Sequence, residues 1–299
     1  MNVTVRDRLA QALWPLVVAN LVANVVIVLT GGAVRLTGSG LGCPVWPKCT
    51  DESYTPHGEL GIHGAIEFGN RMLTFVLVVV AVACFAAALA HRRTGGPARP
   101  LTLSTLVALG IPTQAVIGGI TVRTDLNPWI VALHLLVSMA MIGLCVWLVH
   151  TQRPLTTGPA TPAARRLAGV VFVAGWVVLY LGTVVTGSGP HAGDEDAPRT
   201  GLDPQVFSHL HAISVYVLVA VTLCLVVVAV RTGNAGLRRA AVSLLAVELA
   251  QGLVGFLQYY NDLPVGLVIV HMLGAALTSA ALAWNVLSTW GRPQVEDQG

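Results

Sequence analysis

Three histidines, His134, His211 and His271, stand inside long apolar stretches of this chain. An imidazole surrounded by lipid needs a hydrogen-bonding partner or a metal. Two imidazoles facing each other across a helix bundle can hold haem iron in a membrane. Each then gives its second ring N–H to a carbonyl or hydroxyl. For any one of them, an interhelical hydrogen bond is the plainer alternative. A second chemical stretch is His63 to Arg71, reading HGAIEFGNR, which runs directly into the apolar segment 72–89. At ~100° per residue, His63, Glu67, Asn70 and Arg71 share one helical arc about 100° wide. An ionisable group near the bilayer centre costs at least ~2.5–3.5 kcal/mol, and less near an interface. That face must therefore point into protein, at a partner or at a ligand. The plainer reading is a helix-start cluster, with Glu67 and Arg71 paired at i, i+4.

The elements that position these residues follow from composition. The chain has 299 residues, 55% hydrophobic and 10% charged. Soluble domains carry about 25% charged residues, so this is a polytopic membrane protein. A nucleic-acid surface is not indicated, because no basic run is flanked by exposed aromatics. Apolar segments near 13–33, 66–90, 101–121, 129–150, 166–186, 206–230, 238–260 and 265–290 are each long enough to cross ~30 Å of hydrocarbon. Spanning backbone must satisfy its own polar groups, so these are helices. The first residues, MNVTVRDRLAQAL, resemble a signal-peptide n-region, but no small-x-small cleavage site follows, and a retained first helix is expected.

Arginine sets the expected orientation. One set of connections holds Arg6, Arg8, Arg92, Arg93, Arg99, Arg153, Arg165, Arg166, Arg231, Arg238, Arg239 and Arg292. The other set holds Arg35, Lys48, Arg123 and Arg199. Twelve against four places both termini in the cytoplasm. Cys43 and Cys49 flank PVWPK in a Gly- and Pro-rich outer loop, an arrangement that suits a small disulfide-closed loop in an oxidising compartment. Cys84, Cys145 and Cys224 lie in apolar runs and read as small buried hydrophobes.

The chain also repeats. Thr37-Gly38-Ser39-Gly40 matches Thr186-Gly187-Ser188-Gly189. Gln114-x-x-x-Gly118 matches Gln251-x-x-x-Gly255, and Pro128 with His134 matches Pro264 with His271. Three matches in order, at offsets of 149, 137 and 137, point to a four-helix duplication. The expected fold is all-α: eight transmembrane helices as two tandem four-helix bundles related by pseudo-two-fold symmetry about the membrane normal. The N-terminal half would cover 1–155 and the C-terminal half 156–299, joined by a linker over Thr151–Pro162. In the repeat register Asn70 corresponds to His211, so one half offers His211 with His271 and the other Asn70 with His134. His209 lies ~200° around the helix from His211 and cannot share a ligand with it; the repeat register favours His211, with His209 as the alternative. Gly118-Gly119 and Gly252-x-x-Gly255 suit close approach of a macrocycle or a helix, and Gln114 and Gln251 suit interhelical hydrogen bonds. Glu248 would lie near the inner interface.

With these residues in view, the chain resembles the haem A synthase family, the actinobacterial kind in particular. The resemblance rests on TGSGLGCPVWPKC at 37–49, IEFGNR at 66–71, QAVIGGITV at 114–122, HLHA at 209–212, QGLVGFLQYY at 251–260 and the His271 run. It implies oxidation of the C8 methyl group of haem O to a formyl group by two successive hydroxylations. It implies haem b in the C-terminal half, ligated by His211 and His271, and substrate haem O in the N-terminal half, with Glu67 as the essential carboxylate. Cys43 and Cys49 match the family's outer-loop pair, while the third outer loop, GPHAGDEDAPRT, lacks the second pair that some members carry. Asn70 departs from the histidine that many members have there. Substrate haem is then expected on His134 alone, with Glu67 and Arg71 placing protons or a propionate, unless His63 reaches the iron. The family also implies a haem O synthase (farnesyltransferase) as partner, a bacterial cell membrane location and an electron donor that no residue pattern assigns. The different reading is a bis-His cytochrome b passing electrons from quinol, or a haem carrier without oxygenation.

Overall fold

The computed structural model describes residues 5–153 and 160–290. Arg292 and the middle of the expected linker, with the boundary at 155/156, lie outside the described residues. A short helix, α1 (Val5–Gln11), precedes α2 (Leu13–Leu36), α3 (Gly61–Arg93), α4 (Arg99–Arg123) and α5 (Pro128–Gln152). Then follow α6 (Pro162–Ser188), α7 (Pro204–Arg231), α8 (Ala235–Tyr260) and α9 (Val265–Ser288). Among the described residues there is no strand, and α2 to α9 are all long and apolar enough to cross a membrane. These are the eight expected segments, most of them extended by a few residues at each end. The largest extension is at the start of α3, where a 3₁₀ turn at Gly58–Leu60 leads into the helix and carries His63 inside it.

Local signals explain several helix starts. Asn127, Thr161, Asp203 and Asn234 each accept a backbone N–H of the helix that follows them. Pro128, Pro162 and Pro204 occupy first-turn positions, where a missing N–H is harmless. The turns before α5 and α9 share a feature that the sequence hides. Asp125-Leu126 and Asp262-Leu263 are consecutive non-glycine residues with positive φ, between 49° and 59°. Such backbone is strained for residues with a Cβ and persists only where the surroundings impose it.

Helices α2 to α5 pack as a ring, α2 on α3, α3 on α4, α4 on α5 and α5 on α2. Helices α6 to α9 pack in the same cyclic order. The rings meet through α5 on α9, flanked by α2 on α9 and α5 on α6. The seam is buried: Ser279 Oγ donates to the Met139 carbonyl at 2.7 Å, and Val28, Met139 and Ile142 join the core formed by α6 to α9. Val79, Val173 and Leu253 point outward, as lipid-facing side chains of a membrane helix do. Cys84 and Cys145 are buried as expected, but Cys224 is exposed. An apolar run has a lipid face as well as a core face, and its composition does not say which face a residue takes.

Loops at one end touch one another. Gly40 N–H donates to Gly193 O at 2.8 Å, Arg35 Nε to His191 O at 2.6 Å, and His191 Nε2 lies 3.1 Å from Leu263 O. This is the end that carries Cys43 and Cys49, here called the disulfide end.

Candidate functional site

At the disulfide end, α3 and α4 hold a loop between them. Cys43 and Cys49 are bonded, with Cα atoms 4.4 Å apart. Glu67 on α3 is buried, at 6% exposure, and both of its oxygens are engaged. Oε1 pairs with Arg71, whose Nη2 lies 2.5 Å away, and Oε2 accepts the Cys43 N–H at 2.5 Å. Arg71 also donates to the carbonyls of Cys43 at 3.0 Å, Lys48 at 2.8 Å and Val45 at 3.2 Å. The i, i+4 pair read from the sequence therefore exists, and it does more than solvate a helix start. Acid and base together grip the disulfide loop, and both of them hold Cys43. His63 Nδ1 is 2.9 Å from Ser39 Oγ and so belongs to the same loop.

From α4 comes the opposite jaw. The Trp46 indole lies on Gly119, where any Cβ would overlap the ring. Arg123 covers the same indole at 5.5 Å and donates to Trp46 O at 3.2 Å. The close approach expected at Gly118-Gly119 is thus divided, since Gly119 takes Trp46 and Gly118 takes an imidazole. Gly119→Val is expected to unseat Trp46 and destabilise the loop by roughly 1–3 kcal/mol, as overpacking does. Faster proteolysis within 43–52, with the helices intact, is the measurement that checks it.

Four polar side chains, Asn70 and His134 in the first ring and His211 and His271 in the second, have the same kind of setting. Each leans on a glycine of the neighbouring helix. A Cβ on Gly118 would lie 3.3 Å from His134 Cε1, one on Gly255 3.6 Å from His271 Cε1, and one on Gly182 3.2 Å from His211 Cε1. One on Gly31 would lie 4.0 Å from Asn70 Nδ2. Behind the histidines, Gln114 Nε2 donates to His134 O at 3.1 Å and Gln251 Nε2 to His271 O at 2.9 Å. Gln114 also reaches Ser138 Oγ. The two glutamines act as interhelical hydrogen-bonders, and they fix the backbone of each His helix.

The imidazoles of His211 and His271 face each other between α7 and α9, with ring centroids 6.5 Å apart and planes at 75°. An iron held by two imidazoles at about 2 Å per bond puts centroids roughly 6 Å apart, because each centroid lies about 1 Å behind its nitrogen. The spacing fits a metal between the rings. Nδ1 of His134 and of His271 is buried without a hydrogen-bond partner, whereas the His211 ring lies against the Val178 backbone. A buried polar atom left unpaired costs about 1–3 kcal/mol. His209 is exposed and stays outside this arrangement.

The fold adds residues that the sequence reading passed over. Thr30 on α2 donates to Asn70 Oδ1 at 2.8 Å. Ser39, Trp46 and Arg123 hold the loop. The adjacent Thr30-Gly31-Gly32 is a small-residue run of the kind that marks close helix packing, and it was the available signal. Glu248 lies midway along α8. It is 3% exposed, accepts from Thr222 Oγ1 at 2.8 Å, and leaves Oε2 without a partner.

Comparison with known proteins gives the family of the chain. The COX15-CtaA family model, described as a cytochrome oxidase assembly protein, matches residues 13–63 and 59–283. A protein named heme A synthase from Rhizorhabdus wittichii is 26% identical over 92% of this chain and 92% of its own length. One of the same name from Rhodopseudomonas palustris is 28% identical over 88% of this chain and 85% of its own. A third, from Geobacillus thermodenitrificans, is 29% identical over 48% of this chain and 44% of its own.

Proposed function

The chain belongs to the COX15-CtaA family of cytochrome oxidase assembly proteins, and on that premise we propose that it makes haem A from haem O. It is an oxidoreductase of the membrane. The haem O methyl group is hydroxylated twice, and the resulting gem-diol loses water to leave the formyl group. The single observation that carries the site assignment is the His211–His271 pair, two imidazoles on α7 and α9 at a spacing that suits iron between them. In this reading those two histidines hold haem b in the C-terminal half. Haem b bound there would supply single-electron transfer.

Substrate haem O is assigned to the N-terminal half, 1–155, with His134 as its iron ligand. The shared glycine seats and the matched Gln114 and Gln251 bonds support a duplicated fold, with 156–299 as the second half. Asn70 stands where the C-terminal half has His211, and an amide is a poor ligand for haem iron, so the face opposite His134 stays open. His63 is held by Ser39, which argues against its replacing Asn70 at the iron. Glu67 lies about one turn from Asn70 toward the disulfide end, and Arg71, the residue after Asn70, reaches back to Glu67. Their role is to place charge and protons at that mouth while gripping the loop. The orientation read from arginine puts the disulfide end outside a bacterial cell membrane and both termini in the cytoplasm. Haem O would arrive from its farnesyltransferase.

The test is product analysis. The chain is expressed with a haem O supply, and its pigments are extracted and identified by chromatography and mass spectrometry. Haem A is expected. A well-folded protein that releases only haem b and unmodified haem O would sink the synthase reading in favour of a cytochrome or carrier.

A further inference from the structure

We propose that Asn70 is the hydrogen-bond donor to whatever binds the open iron face of the substrate haem, and that Thr30 is the residue that aims it. This rests on the reading above that His134 alone ligates that iron.

An asparagine side chain has one atom able to ligate a metal, its carbonyl oxygen, and two N–H donors. The structure distinguishes them. Asn70 Oδ1 accepts from Thr30 Oγ1 at 2.8 Å. The Thr30 hydroxyl has a competing acceptor, the Ile27 carbonyl, but at 3.2 Å. It has one proton to give, and the shorter contact takes it. The ligating atom of Asn70 is therefore occupied by a side chain of α2, and the amide nitrogen is the free end. That nitrogen lies beside Gly31, where the absence of a Cβ leaves room next to it. In the C-terminal half the equivalent glycine seat, Gly182, carries His211, the residue that faces His271. By the same relation we set Asn70 across the N-terminal bundle from His134. The two halves thus differ in one chemical respect at this position. One presents a ligand and the other presents a donor. The polarity and donors on the far side of a haem decide whether a small molecule binds and is activated there. A fixed amide N–H stabilises partial negative charge on such a molecule, and it needs no proton exchange to do so.

Carbon monoxide on the ferrous, haem-loaded protein is the probe, read by the infrared C–O stretch. The C-terminal haem, held by two histidines, leaves no position for it, so the signal reports the N-terminal site alone. The expected result is a single sharp band in the parent protein. Asn70→Leu should move it to higher wavenumber, since the donor is lost. Thr30→Val should broaden or split it, since the amide is no longer held. Asn70→His should abolish carbon monoxide binding by filling the open face. The visible spectrum of the C-terminal haem serves as the folding control in each variant. A parent protein that holds haem O but binds no carbon monoxide would defeat the single-histidine reading, and this proposal with it. Carbon monoxide binding with a band unmoved in both Asn70→Leu and Thr30→Val would overturn the donor alone and leave that reading standing.

Discussion

Glu67→Ala is expected to reduce haem A formation by at least about 100-fold, the scale on which a positioned acid or base contributes. The substitution does two separable things. It removes the carboxylate from the mouth of the N-terminal half, and it releases the loop, because Cys43 N–H loses its acceptor and Arg71 loses its counter-charge. The loop keeps the bonds from Arg71 to its carbonyls and the Trp46 contact with Gly119 and Arg123. Breaking a fully buried pair costs about 3–5 kcal/mol, and an exposed pair about 0–1. The Arg71 side chain is 20% exposed, so local loosening of about 2 kcal/mol is expected between those limits. Glu67→Gln separates the effects. An amide oxygen can still accept from Cys43 N–H, so protease resistance of the loop should be largely kept. Haem A yield from Glu67→Gln should nevertheless stay near that of the alanine variant, because the negative charge is gone. Recovery to near-parent yield with glutamine would mean that Glu67 works only as a strut for the loop, and its chemical role would have to be abandoned.

His271→Ala is expected to strip haem from the C-terminal half, and His211→Ala to do the same. Altering a partner that merely orients a ligand weakens metal binding about 10–100-fold, so loss of a ligand should exceed that range. The measurement is the reduced-minus-oxidised spectrum of purified protein with haem content per chain. A low-spin bis-His signature present in the parent should vanish in both variants. His209→Ala, at an exposed position one face away, should leave it intact. If His209→Ala removes the signal and His211→Ala does not, the register of α7 is wrong. Gln251→Leu should weaken the signal less than either histidine change, since it only releases the His271 carbonyl from its tether to α8.

Much of this architecture was legible because lipid imposes simple rules. Helices are the only economical way for such apolar runs to cross, so eight of them, and their approximate limits, follow from composition and length. The Gln114/Gln251 and His134/His271 matches located the residues that the two rings hold alike. Helical spacing placed Glu67 and Arg71 on one face, and Cys43 and Cys49 were close enough in sequence for their loop to be read. What escaped was whatever depends on a contact between segments distant in the chain. Trp46 and Gly119 are 73 positions apart, and nothing in either stretch announces the other. Cys224 sits in a run as apolar as those of Cys84 and Cys145, yet it faces outward.

By itself the sequence determined the membrane class, the helix count and the residue types available for chemistry, since each is a local property of composition or spacing. Only the tertiary structure decided which polar atoms are already taken. Glu67 has both oxygens bound and Asn70 has its carbonyl bound to Thr30, whereas His134 and His271 keep a buried ring nitrogen unpaired. Hydrogen bonds are saturable and directional, so their assignment depends on which helices become neighbours, and that is settled only when the bundle has packed.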